Sequence, residues 1–376
     1  MAKRSILFVT GTRADFGKLK PLMFAIEASP AFECRIFVTG MHMIEKYGHT
    51  VDEVRHCGFT NIFTYANSAG VEPMEITLAN TITGLSNYLS RYAVDLIVVH
   101  GDRCEALAGA ITGALRNVRV AHVEGGELSG TVDELIRHAV TKMSHLHFVA
   151  NKNAARRLRQ LGEVPESIFE IGSPDVDIMI SRNLPSLDQV RSRYEIDYEK
   201  FAILMFHPVV TELAEIQTQA KNVIDAVKKI DRNFVVIYPN NDLGSDVILS
   251  ALEGLQEDKR FRTFPSIRFE YFITLLKNAD FIVGNSSAGI REAPYFGTPT
   301  VNIGTRQLNR FDHRSIYNTS YQTEDIVFGM RQAMQFGRMA PIFAFGDGCS
   351  LERFMSTLSI DDTWKINPQK RFQDIL

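Results

Sequence analysis

Val98-Val99-His100-Gly101-Asp102-Arg103 comes first, then His122-Val123-Glu124-Gly125-Gly126-Glu127, then Ser129-Gly130-Thr131-Val132-Asp133-Glu134-Leu135-Ile136-Arg137-His138. The first two runs close the predicted strands 96–99 and 118–123 on glycine and polar residues. The third opens on Thr131-x-x-Glu134, the spacing of a helix capping box. Two strand ends and a helix start therefore follow one another, and each carries an acid: Asp102, Glu124 and Asp133. Strands that read as unbroken apolar runs are buried on both faces, which means a parallel sheet covered by helices.

The same rhythm extends in both directions. Upstream, strands are predicted over 6–9, closing on Gly11-Thr12-Arg13, over 34–38, closing on Gly40, and more weakly over 62–65, with a helix over 73–92. Downstream, 118–123 is followed by 146–149 and 168–171. The Pro- and Asp-rich segment 173–198 breaks the pattern and reads as an interdomain crossing. It then restarts with strands over 201–206, 234–238, 261–264, 281–283 and 300–303, and helices over 211–230, 245–255, 270–278 and 288–296. A chain of 376 residues exceeds one ordinary core. The expected fold is α/β with two Rossmann-like domains facing across a cleft: 1–172, the crossing 173–198, 199–350, and a helical tail 351–376 packing back toward the first domain.

A net charge of -3 gives no broad field for nucleic acid or an acidic membrane. No apolar run approaches the ~18 residues of a membrane span. The run 6–9 is too short for a signal peptide, so a cytoplasmic location is expected. Four scattered cysteines, without a C-x-x-C pair, read as free thiols.

In an open parallel sheet, ligands collect beyond the carboxyl ends of the strands, where strand order reverses. With the order 3-2-1-4-5-6, the first, fourth and fifth strands are neighbours, and their ends carry Arg13, Asp102 and Glu124. Two carboxyls on strands about 4.8 Å apart can serve as acid and base together. The alternative is that they cap loops or pair with Arg103. Asp133 falls in a first helical turn, with Arg137 on the same face, and the glycines Gly125, Gly126 and Gly130 would let backbone approach a ligand. Gly11 to Lys18 offers a helix start plus Arg13 and Lys18 to an anion. A stronger phosphate signal is Gly284-Asn285-Ser286-Ser287-Ala288-Gly289-Ile290-Arg291-Glu292, where small polar residues open a helix. There, plain N-capping by a serine competes with ligand binding, and Glu292 is either a sugar-hydroxyl acceptor or a solvated surface acid. His207, Asn240 and Asn241 lie at strand ends that face the same way. His145 and His147 would share a strand face, but no third metal ligand is evident.

Taken together, GTRADFGKLKP, HGDRCEALAGA, HVEGGELSGTVDELIRHA, IGSPDVD, FHPVVTE, YPNND and GNSSAGIREAPYFGTP resemble the hydrolysing UDP-N-acetylglucosamine 2-epimerases over roughly residues 5–310. HVEGGELSGTVDELIRH favours that branch over the non-hydrolysing epimerases. The resemblance implies a glycosyltransferase-B architecture, and conversion of UDP-GlcNAc and water to N-acetylmannosamine and UDP, as in sialic acid synthesis. It implies Asp102, Glu124 and Asp133 as catalytic. It places Arg13, Lys18, Arg103, His207, Asn240, Ser286, Ser287, Gly289, Glu292 and Arg306 at the UDP or sugar. No cofactor or metal is expected, and the partners implied are UDP-GlcNAc, UDP and further copies of the chain in a homodimer or homotetramer.

Overall fold

The computed structural model describes residues 3–69 and 72–374, so the outermost residues of the first and last predicted stretches, 1–2 and 375–376, lie outside it. Two compact units emerge: the described residues within 1–127, 133–180 and 344–376 form the first, and 128–132 with 181–343 form the second.

The first unit alternates strand and helix: β1 (Arg4–Thr10), α1 (Arg13–Ala28), β2 (Phe32–Val38), α2 (Val51–His56), β3 (Ile62–Thr64), α3 (Met74–Leu89), β4 (Leu96–His100) and α4 (Cys104–Leu115). It continues through β5 (Arg119–Val123), α5 (Val132–Met143), β6 (Leu146–Val149), α6 (Lys152–Gln160), β7 (Ile168–Glu170) and α7 (Pro174–Met179). The strand order is β3-β2-β1-β4-β5-β6-β7, so the expected neighbours β1, β4 and β5 do adjoin. Ile6 pairs with Leu96, and His100 with Val123, all in parallel.

The second unit holds α8 (Leu187–Tyr194), β8 (Phe201–Met205), α9 (Ile216–Lys228), β9 (Asn233–Ile237), α10 (Ser245–Glu253), β10 (Phe261–Phe264) and α11 (Phe269–Asn278). Then come β11 (Ile282–Gly284), α12 (Ala288–Arg291), β12 (Thr300–Ile303), β13 (Ile316–Thr319) and α13 (Thr323–Phe336). Its sheet runs β10-β9-β8-β11-β12-β13. The edge strand β13 was not anticipated. Its sequence, Ile-Tyr-Asn-Thr, buries only Ile316, so it lacks the apolar run that marks the inner strands.

The segment read as a crossing from residue 173 instead contributes α7 to the first unit, with Val176, Ile178 and Met179 buried. The chain returns to that unit at Ala344 and ends in α14 (Ser350–Ser359). Phe354, Leu358 and Trp364 join the core around Ile6, Phe8, Phe16 and Leu19. Asp177 of α7 caps this last helix, accepting from Ser350 N at 3.1 Å and Leu351 N at 2.8 Å. Among the described residues, no helix is long and apolar enough to cross a membrane.

Candidate functional site

β4 and β5 end in register, and each turns through a left-handed residue: Gly101 at φ 69° and Glu124 at φ 73°. A non-glycine residue there costs about 1–2 kcal/mol, a strain held where a side chain must be aimed. Glu124 N donates to Phe148 O at 3.0 Å and so joins the β6 edge. Glu124 Oε2 lies 2.9 Å from His100 Nε2 and 4.0 Å from Lys18 Nζ, and the Glu124 side chain is only 6% exposed. Lys18 Nζ is closer, at 3.2 Å, to Asp175 of α7. Lys18, expected at a diphosphate, thus sits in a buried carboxylate cluster.

Asp102 follows Gly101 and accepts a hydrogen bond from Arg137 Nη2 of α5. Arg137 is fully buried and also donates to Glu127 O at 3.3 Å. The link ties the β4 end to α5, whose first turn carries the half-buried Asp133. Arg103 pairs through Nε with Glu105 at 3.4 Å. His122 Nε2 donates to Gly101 O at 2.9 Å, and its Nδ1 accepts from Thr141 Oγ1 of α5 at 3.1 Å. Burial pushes its imidazole down to about 3, so the ring is neutral at ordinary pH.

The three glycines Gly125, Gly126 and Gly130 also answer a packing need. A Cβ on Gly125 would lie 2.9 Å from His122 Nδ1, on Gly126 2.5 Å from Ala154 O, and on Gly130 2.1 Å from Thr305 O. Protein atoms fill those spaces. The loop that leads into α1 is held by Asp15 of its first turn. Asp15 accepts from Thr10 Oγ1 at 2.6 Å, Gly11 N at 3.0 Å and Thr12 N at 3.0 Å, so these two N–H groups before the helix are paired within the chain. Arg13 pairs with the buried Glu53 at 2.9 Å.

Sequence reasoning missed two buried groups here. His42 bridges Thr10 Oγ1 at 3.0 Å and Thr50 Oγ1 at 2.6 Å, and burial lowers it to about 4. Glu105, 2% exposed, lies against Gly11 and Gly40, where a Cβ would come within 2.7 Å of its Cδ and 2.5 Å of its Oε1 respectively. The glycines after the first two strands were the available signal: each marks a spot where another residue's side chain needs room.

In the second unit, His207 follows β8. Its N donates to Asn285 Oδ1 at 2.7 Å, and Asn285 Nδ2 returns a bond to His207 O at 2.9 Å. Asn240 N donates to His207 Nδ1 at 3.0 Å, so a neutral ring carries its proton on Nε2. Asn240 Nδ2 donates to Asp242, whereas Asn240 Oδ1 is buried and has no hydrogen-bond partner among the described residues. Asn285 O gathers Arg306 Nη1 at 3.2 Å and Gln307 Nε2 at 3.3 Å. Ser286 Oγ accepts from Ala288 N at 3.3 Å, the capping alternative, and Ser287 stands directly before α12. Gly289 makes room for Thr300, whose Cγ2 would lie 2.6 Å from a Cβ. Glu292 is 2% exposed, so it is not the solvated surface acid of the bland alternative. The loop carrying Arg306 is tied down by Glu212, which accepts from Thr305 Oγ1, from Tyr321 OH at 2.7 Å and from Gln219 Nε2 at 2.9 Å. Burial raises the Glu212 carboxyl, but these three donors outweigh it and hold it below its ordinary value. Among the described residues, no group of three His, Cys, Asp or Glu is placed to hold a metal.

Two parallel sheets interleaved with helices, each with polar side chains gathered at its strand ends, define the glycosyltransferase-B type of fold. A crystal structure of the Methanocaldococcus jannaschii UDP-GlcNAc 2-epimerase in complex with UDP-GlcNAc and UDP shares it, with a TM-score of 0.81 at 20% identity over 94% of this chain and 99% of that one. A family model described as UDP-N-acetylglucosamine 2-epimerase matches residues 24–359, and the chain belongs to that family. It is 48% identical to a UDP-N-acetylglucosamine 2-epimerase of Neisseria meningitidis serogroup B over 99% of both chains. It is 34% identical to a UDP-N,N'-diacetylbacillosamine 2-epimerase (hydrolyzing) of Legionella pneumophila over 93% of this chain and 94% of that one.

Proposed function

We propose that this member of the family is a hydrolysing UDP-GlcNAc 2-epimerase that converts UDP-GlcNAc and water to N-acetylmannosamine and UDP, the entry step to sialic acid. The observation that carries the proposal is Glu124: a strained, buried carboxylate with a histidine and a lysine aimed at one of its oxygens. It stands one strand away from Asp102, which a buried arginine holds.

Breaking the C1–O bond to UDP builds oxocarbenium character at C1 and acidifies the hydrogen on C2. Glu124 or Asp133 removes that hydrogen, and anti elimination gives 2-acetamidoglucal. Water, delivered or activated by Asp102, then adds with the opposite configuration at C2. Acid–base work of this kind needs carboxyls poised near neutral pH. The departing UDP is assigned to His207, Asn240, Ser286, Ser287, Glu292 and Arg306. The buried Asn240 Oδ1 supplies an acceptor for a ligand N–H or hydroxyl, and Arg306 a cation for the diphosphate.

The name of the Legionella relative supports the hydrolysing branch, and it also supports a second reading, a 4-acetamido-6-deoxy relative of UDP-GlcNAc as substrate. Proton NMR of the products formed from UDP-GlcNAc in deuterium oxide tests both. N-acetylmannosamine labelled at C2, with free UDP, is expected. Product that keeps UDP would assign the chain to the non-hydrolysing branch, and inertness toward UDP-GlcNAc would favour the deoxy sugar.

A further inference from the structure

The proposed chemistry leaves Asp175 without a task, yet the fold buries it to 1% exposure and builds a bracket around it. α7 is anchored on both sides of Asp175. Ser173 N donates to Phe345 O at 2.8 Å, and Asp177 caps α14. So fixed, Asp175 Oδ2 meets Lys18 Nζ at 3.2 Å, while the same ammonium stands 4.0 Å from Glu124 Oε2. The lysine side chain is 9% exposed, so water screens neither contact well.

We propose that Asp175 is a positioning residue of the reaction: it draws Lys18 to itself and cancels its charge, so that Glu124 keeps the capacity to take up and return a proton. The inference rests on the assignment of Glu124 to proton transfer. A lysine paired with Glu124 alone would hold that carboxylate in its ionised form and make it a poor base and a poorer acid. A lysine already neutralised by a nearer carboxylate leaves Glu124 facing a dipole rather than a full charge. The groups set against Glu124 include His100 from the β4 end, Lys18 from α1 and, behind Lys18, Asp175 from α7.

The two single substitutions should act in opposite directions. Asp175→Asn exposes Glu124 to the full charge of Lys18. The acid limb of the kcat/KM profile should move about one unit to lower pH, and kcat at neutral pH should fall about tenfold or more, with KM changed less than about threefold. Lys18→Met leaves two carboxylates without their cation, and the acid limb should move to higher pH. The double variant Lys18→Met, Asp175→Leu removes a neutral pair, a replacement that buried sites tolerate. Its acid limb should return to within about half a unit of the parent, and its kcat should exceed that of Asp175→Asn.

Limbs that stay in place in all three variants, or losses that simply add in the double variant, would overturn the proposal and leave Asp175 a packing residue. A rise in KM with kcat unchanged in Lys18→Met would overturn it differently, by giving Lys18 to the diphosphate. Where Asp175→Asn fails to fold, Lys18→Met and the double variant carry the test. Deuterium at C2 of the product of the unaltered chain is the control. Its absence removes the assignment of function, whereas its presence with unmoved limbs removes only the role of Asp175.

Discussion

Asp102 has two jobs that substitution can separate. Its carboxylate is a quarter exposed and accepts from Arg137, which has no exposure at all. Asp102→Asn keeps an acceptor for that arginine, so its melting temperature should stay near the parent's while turnover falls by orders of magnitude and UDP still binds. Asp102→Ala leaves a buried guanidinium without its carboxylate and should cost up to about 3 kcal/mol, the low end for a broken buried pair because Asp102 touches water. Equal melting of the two variants would show that Arg137 draws its support elsewhere. Glu124→Gln should likewise abolish turnover and spare UDP binding, and weakened UDP binding would mean that the acid is misassigned. The buried histidines make a further residue-scale prediction. Burial lowers His42 to about 4 and His122 to about 3 from 6.5, so the unfolded chain binds protons that the folded chain refuses. The stability they allow is complete above pH 6.5 and is lost as pH falls below it. Each should account for about 2 kcal/mol between pH 7.5 and pH 5. Urea melts at the two pH values measure this, and His42→Asn should flatten the dependence; an unchanged slope would count against a neutral buried ring.

Elements differ in how much of themselves they show in sequence. β1, β2, β4, β5 and β6 were legible because a strand covered on both faces is predominantly apolar, and strand order then placed the ends that carry Asp102 and Glu124 on neighbouring strands. β13 and α7 were not legible, since one is an edge strand and the other is a six-residue helix opened by proline inside an acidic segment. The candidate site was half visible for a related reason. Asp102, Glu124 and His207 end strands, and a strand end is a place that sequence can locate. Lys18, Glu105 and Asp175 are charged residues on helices, where the default is solvent; only packing reveals that each is buried. Glu212 is another of this kind, sitting at a kink before α9 and binding the loop of Thr305 and Arg306. Glu212→Leu removes three hydrogen bonds to a charged group. If Arg306 holds the diphosphate, UDP affinity by calorimetry should drop about tenfold or more. Unchanged affinity would detach that loop from nucleotide binding.

At the scale of the whole chain, the two units are not equally self-contained in sequence. The second unit's core, from Ala202 to Ala333, lies wholly within the continuous stretch 181–343. The first unit's core is split, because Phe354, Leu358 and Trp364 reach it only after the chain has built the second. Each apolar side chain so buried contributes about 1.5–3 kcal/mol, a large share of the 5–15 kcal/mol that holds a typical domain folded. Arg119, His145 and Glu163 add polar ties to the same returning segment, through Ile366 O at 3.0 Å, Pro368 O at 2.9 Å and Lys370 Nζ at 2.5 Å. A fragment of residues 181–343 should therefore show a cooperative thermal transition by circular dichroism. A fragment of residues 1–180 should not, because it lacks the helix that Asp177 caps and the aromatic groups that close its core. Adding residues 344–376 as a separate peptide should restore the transition in proportion to peptide concentration, since that segment binds only the folded form. A cooperative melt of 1–180 alone would show that the returning segment is an attachment to a core already complete, and would break the path from α14 through α7 to Asp175 and Lys18.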